Sequence, residues 1–150
     1  MKFLISQSIK MHENGTKYNC LDEKYHFFFQ NMNISLIPVD NFISGKKEYF
    51  NNDIKGVILS GSGDIEKITD VGAIDRKPSF FRERDNTENT LIESALNLKI
   101  PLIGICHGMQ KINDYFGGSI QAYYHHNRET YSKQGISHDI RGLDDLIGKD

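Results

Sequence analysis

Short apolar runs alternate along this chain with longer stretches of helical periodicity. Lys2 to Ser6 (Lys-Phe-Leu-Ile-Ser) predicts a first strand. Asp22 to Met32 opens with acidic residues and predicts a helix, since acid is favoured at a helix start. Ile34 to Val39 predicts a second strand, closed off around Pro38. Lys55 to Ser60 predicts a third strand, and Pro101 to Cys106 a fourth. Between those two, Asn86 to Lys99 places Leu91, Ile92, Ala95, Leu96 and Leu98 at helical spacing. Met109 to Phe116 is a further helical pattern, stopped by Gly117-Gly118.

Strands that are apolar on both faces, each followed by a helix, predict an α/β domain with a mostly parallel sheet covered on both sides. Sites in such sheets gather at the carboxyl ends of the strands. Two segments stand there: Ser60-Gly61-Ser62-Gly63-Asp64 after the third strand and Gly104-Ile105-Cys106-His107-Gly108 after the fourth. The stretch from Ser60 to about Asp85 has weak periodicity and exceeds an ordinary connection, which favours a functional loop.

Composition narrows the classes without naming one. The 150 residues suit one domain, 1–150, and carry 18 basic against 20 acidic side chains, a formal charge of −2. That balance lacks the basic footprint of a general nucleic-acid binder. No apolar run approaches the roughly 20 residues of a membrane-spanning helix, and the N-terminus turns polar too early for a secretory leader. The two cysteines, Cys20 and Cys106, are far apart, so neither a disulfide framework nor a metal site is indicated. A reduced, cytoplasmic protein without a cofactor is the expectation.

Gly-x-Cys-x-Gly between a strand and a helix has the layout of a nucleophile elbow. The nucleophile sits in a strained backbone conformation that lifts its side chain above the sheet, and the flanking glycines let strand and helix approach closely. The helix start would aim free N–H groups at Cys106 and favour its thiolate. The His107 amide is placed to donate to a developing oxyanion. Chance gives only about 0.015 such matches in a chain of this composition. The competing reading is a buried structural cysteine. Cys20 has no comparable context and reads as inert. Gly61-Ser62-Gly63 would supply a second oxyanion donor from the neighbouring strand, or form nothing more than a tight turn. It is not a phosphate loop, because the lysine-Ser/Thr ending is missing.

These segments resemble the class I glutamine amidotransferase superfamily, and within it the γ-glutamyl-γ-aminobutyrate hydrolase branch (peptidase C26-like). The resemblance rests on Val57 to Ile65, Glu83 to Glu88, Ile100 to Gln110, and Ile112-Asn113 through Phe116 to Ser119. Ile5-Ser6-Gln7 and Leu21-Asp22 are also similar to γ-glutamyl-CDP-amidate hydrolase-like members. The resemblance implies a flavodoxin-like, doubly wound sheet with helices on both faces. It implies that Cys106 attacks a γ-glutamyl amide and forms a thioester that water hydrolyses. The backbone N–H groups of Ser62 and His107 would form the oxyanion hole, with Gly61 beside them as a substrate-binding residue. Gln110 would help hold the γ-glutamyl group, or is a polar residue on an exposed helix face. Arg84, Asp85 and Glu88 match a signature near the pocket. There Arg84 could clamp a substrate carboxylate, with Glu88 close by, or the group could be a salt-bridge and capping cluster.

Two departures from the family pattern matter. His107 stands where the hydrolase branch usually carries arginine. It would either line the pocket mouth or act as a base, as in the intracellular-protease branch. The His-Pro-Glu-like motif that carries the family's base is missing: His12, His26, His125, His126 and His138 lie in other contexts. Ser137-His138-Asp139-Ile140 looks like the strand before that motif, and Leu143 to Gly148 like a short helix cut from its sequel. The expectation is therefore a C-terminally incomplete domain with impaired turnover. The readings in play are a γ-glutamyl amide hydrolase acting on a small molecule, a glutaminase subunit serving a synthase partner, a non-catalytic binding module, and a protease- or deglycase-like enzyme using Cys106 with His107. A complementing second chain could supply what the first two lack.

Overall fold

In the computed structural model, residues 1–62 and 81–120 are described. They hold a four-stranded parallel sheet in the order β4-β1-β5-β6, with β1 Lys2–Ser6, β4 Ser35–Val39, β5 Ile54–Leu59 and β6 Leu102–Gly104. The helices are α1 Glu23–Gln30, α2 Arg82–Leu98 and α3 His107–Tyr115, and a 3-10 turn spans Lys46–Tyr49. The α/β arrangement predicted from the strand–helix alternation is the one observed, and it is flavodoxin-like as the resemblance implies.

Side-chain alternation along β1 and β5 divides the core between the two faces of the sheet. Leu4, Val57 and Leu59 pack with Leu91, Ile92 and Ala95 of α2. Phe3, Ile5 and Ile58 pack on the other face with Phe29 of α1. A strand whose successive residues point to opposite faces can be apolar throughout only when both faces are covered. Gly56 lies opposite Phe3 in register, and a Cβ there would come within 2.3 Å of the Phe3 ring. Pro38 sits on β4, which borders β1 alone among the described strands, where a missing donor is tolerated.

The predicted second strand, third strand and first helix lie within a residue or two of their observed bounds. Two differences bear on the site. The second helix begins at Arg82, four residues before the predicted start, because its first turns are polar yet buried: Arg84, Thr87 and Glu88 are all enclosed. The fourth strand ends at Gly104, and α3 starts at His107 immediately after Cys106.

One element escaped the apolar pattern. Strands β2 Ser8–Met11 and β3 Lys17–Cys20 form an antiparallel hairpin between β1 and α1. Its turn uses Gly15 at φ +83°, with the Asn14 side chain accepting from the Thr16 amide. The hairpin is too polar to announce itself by hydrophobic alternation. Gly63 to Asp64, most of the long connection after Ser60, and the segments around His125, His126, His138 and Leu143 lie outside the described residues. Among the described residues no helix is long and apolar enough to cross a membrane.

Candidate active site

The turn from β6 into α3 is built by close packing of backbone on backbone. A Cβ on Gly104 would come within 2.6 Å of the Gly108 and Met109 backbone, and one on Gly108 within 2.1 Å of the Leu59 carbonyl oxygen. Both positions therefore require glycine. Between them Cys106 adopts φ 52°, ψ −104°, a conformation costly for a residue with a side chain, and its side chain is exposed. The Ile105 amide bonds the Leu59 carbonyl at 3.0 Å, the Gly108 amide the Ile105 carbonyl at 2.9 Å, and the Gln110 amide the Cys106 carbonyl at 3.2 Å. The His107 amide, at the first position of α3, has no acceptor among the described residues, as expected of a helix start.

The loop after β5 lies against this turn. A Cβ built on Gly61 would stand 3.5 Å from Cys106 Cβ. Each peptide of the loop is held from outside it. The Ser60 amide donates to Ser6 Oγ at 2.9 Å, and the Gly61 amide to Tyr25 Oη at 2.7 Å. The carbonyls of Ser60, Gly61 and Ser62 all accept from the Arg84 guanidinium. With its carbonyl turned inward, Ser62 takes φ +73°, and its amide is left without an acceptor among the described residues.

Beneath both segments lies a buried polar cluster. Arg84, Glu88, His107 and Lys111 are each at most 4% exposed. Glu88 accepts from Arg84 Nε at 2.9 Å and Ser6 Oγ at 2.8 Å, and its second oxygen meets His107 Nε2 at 2.8 Å. Burial alone would raise the Glu88 carboxyl above its ordinary value. The His107 hydrogen bond, the Arg84 and His107 charges and the Ser6 hydroxyl outweigh it and hold the group low, so Glu88 is ionised. Lys111 pairs with Asp85, which also accepts from Asn89. His107 Nδ1 is buried without a hydrogen-bond partner among the described residues.

A cavity of about 490 Å³ opens at the carboxyl ends of the strands, with Lys10, Cys20, Asp22, Tyr25, Ser62 and Cys106 among its lining. Cys106, Gly61 and Ser62 are thus brought together around one space. Gln110 is half-buried on α3 and does not line it. Arg84 and Glu88 do not line it either. The Arg84 donors face the protein's own carbonyls and Glu88, and this geometry matches the ion-pair alternative more closely than a substrate clamp. The His107 ring points at Glu88 inside the protein, and the exposed His12 and His26 do not reach the cavity. Sequence reasoning missed Tyr25, Lys10 and the cavity position of Cys20. Nothing in the run Tyr25-His26-Phe27-Phe28-Phe29 distinguishes a pocket residue from a core aromatic. Among the described residues no group of three or more His, Cys, Asp or Glu is placed to hold a metal ion.

The Peptidase C26 family profile matches residues 5–143. The chain belongs to the Peptidase C26 family. Its relatives include the γ-glutamyl-CDP-amidate hydrolase of Campylobacter jejuni, 38% identical over 79 residues that make up 52% of this chain and 36% of that protein. A subunit of the glutamine-hydrolysing GMP synthase of Methanococcus vannielii is 39% identical over 71 residues, 47% of this chain and 27% of the relative. The corresponding subunit from Methanocaldococcus jannaschii is 30% identical over 108 residues, 72% and 45%. The chain thus spans less than half the length of each of these relatives. These similarities place the C26 member within the class I glutamine amidotransferase-like superfamily.

Proposed function

We propose that the chain carries the nucleophile and oxyanion hole of a cysteine hydrolase that cleaves γ-glutamyl amides. The observation that carries this reading is the strained, exposed Cys106 at the start of α3, sharing a cavity with Ser62. Two backbone amides, those of Ser62 and His107, have no partner among the described residues. The Cys106 thiolate attacks the γ-carbonyl carbon, and the carbonyl electron pair moves onto oxygen, where these amides stabilise it. Collapse expels the amine with a proton and leaves a γ-glutamyl thioester. Water then adds, the thiolate leaves, and glutamate is released. Loops differing in shape around the leaving amine would set the substrate.

The proton transfers need a base, and His107 does not supply it in this arrangement, because its Nε2 is held on buried Glu88. Capture of Cys106 by an electrophile does not depend on that base and tests the nucleophile directly. A glutamine-mimicking diazoketone should label Cys106 stoichiometrically, with the adduct found on the peptide containing it by mass spectrometry. Cys106→Ser should abolish labelling and lower any γ-glutamyl amidase activity by about 10³-fold or more. An unlabelled Cys106, or activity unchanged in Cys106→Ser, would sink the proposal.

The similarity to subunits of GMP synthase favours one second reading, a glutaminase subunit that hands ammonia to a synthase partner. Hydrolysis of free glutamine that appears only when a second protein is added would select it over the stand-alone hydrolase.

A further inference from the structure

We infer that Glu88 is the positioning residue that couples the two halves of the oxyanion hole. This rests on the γ-glutamyl hydrolase reading above, but nothing in that reading requires the halves to be connected. One half, the Ser62 amide, belongs to the loop after β5. The other, the His107 amide, belongs to the start of α3. No described hydrogen bond joins the Ser60–Ser62 loop directly to α3. Both are tied instead to one carboxylate.

On the loop side the tie runs through Arg84. Its Nε donates to Glu88 Oε1 at 2.9 Å, while Nη2 donates to the Ser60 carbonyl at 2.8 Å and Nη1 to the Ser62 carbonyl. A planar guanidinium held on one edge by a carboxylate has a fixed orientation, so its other edge presents donors in fixed directions. Arg84 Nη2 also donates to the Gly61 carbonyl at 3.4 Å, and because that carbonyl and the Ser62 N–H point to opposite sides of one trans peptide, the N–H is aimed outward. Ser6 adds a second strand to the tie: its hydroxyl donates to Glu88 at 2.8 Å and accepts from the Ser60 amide at 2.9 Å. On the elbow side Glu88 Oε2 holds His107 Nε2 at 2.8 Å, fixing the side chain of the residue whose amide is the second donor.

The environment makes this arrangement stiff. Glu88 is fully buried, and Arg84 and His107 are 4% exposed, so none of the three can exchange its partner for water. Removing the Glu88 charge would leave the Arg84 guanidinium buried and short of a partner, and it would move. Oxyanion stabilisation depends on donors fixed before the charge develops, so slack here acts on the transition state.

Two reactions of the same thiol separate this role from a general structural one. Acylation of Cys106 by a γ-glutamyl p-nitrophenyl ester passes through an oxyanion. Alkylation by iodoacetamide displaces iodide and forms none. In single-turnover measurements Glu88→Gln should slow acylation by about 100-fold, the scale of losing an oxyanion donor. Alkylation should stay within about threefold, with an unchanged circular dichroism spectrum. Arg84→Lys, which keeps a charge beside Glu88 but removes the fork that holds the loop carbonyls, should slow acylation by about tenfold, and it decides the matter if Glu88→Gln does not fold. Acylation and alkylation falling together, or acylation unchanged in the folded variants, would overturn the inference. A wild-type chain that iodoacetamide alkylates but the ester does not acylate would overturn the γ-glutamyl reading and this inference with it.

Discussion

Cys106 and Ser62 both have positive φ, both follow a strand of the same sheet, and both face one cavity, yet they are held there by different physics. Around Cys106 the backbone is forced by packing: Gly104 and Gly108 let α3 descend onto β5 and β6, and only one path remains for the residue between them. Around Ser62 the flanking contacts are side chains from distant parts of the chain, with Arg84, Tyr25 and Ser6 each taking a backbone group of the loop. The first is a steric device and the second an electrostatic one. The first should fail all at once when volume is added. The second should loosen by degrees, and with pH.

The largest effect is expected where sterics rule. Gly108→Ala places a methyl 2.1 Å from the Leu59 carbonyl oxygen, in backbone rather than side chain. It should lower stability by about 3 kcal/mol or prevent folding, read from the urea midpoint. A midpoint within experimental scatter of wild type would show that the elbow is not sterically fixed.

Acid should act next, and on the electrostatic region rather than on the steric one. Glu88 lies below its ordinary value of 4.5 in the folded protein, after burial is outweighed by its hydrogen bond to His107 and the charge of Arg84. A carboxylate depressed in this way contributes stability that is complete above about pH 4.5 and is lost as pH falls through the folded value. Urea midpoints should therefore drop on acidification below pH 4.5. The Glu83 carboxyl, held low by Lys17, contributes to the same slope, so Glu88→Gln should flatten it without abolishing it. An identical slope in Glu88→Gln would remove Glu88 from the account.

Tyr25→Phe tests a single tie of the loop. It removes the acceptor of the Gly61 amide at a half-buried position, which should cost about 1 kcal/mol and slow acylation of Cys106 by severalfold. Equal acylation rates would mean that Arg84 and Ser6 hold the loop without Tyr25. The smallest change is expected from Ser62→Gly. Relief of a positive φ in a residue with a side chain should stabilise the folded state by up to about 1 kcal/mol, offset by the greater freedom of glycine when unfolded. Destabilisation beyond that would show that the serine side chain has a role of its own.

The same division explains what could be read from the residues alone. The sheet strands were legible because residues such as Leu4, Ile5, Val57 and Ile58 are apolar without interruption, and burial on both faces leaves that mark. The elbow was legible because its constraint is local, with the two glycines two positions either side of Cys106. The start of α2 was not, since Arg84 and Glu88 look like surface residues until their partners are known. The hairpin was hidden for a related reason: its residues are largely polar, and its place over the cavity follows from where β1 and α1 are anchored.

By itself, then, the sequence determined a parallel α/β sheet and a cysteine set on a strained turn, because periodicity and close glycine packing act between near neighbours. Tertiary structure alone decided that Arg84 and Glu88 face inward to the loop after β5 and to the turn at Cys106, and that Tyr25 holds Gly61. In the same cluster the Ser6–Glu88 bond joins residues 82 positions apart. The directions of such bonds exist only once the strands have been placed side by side.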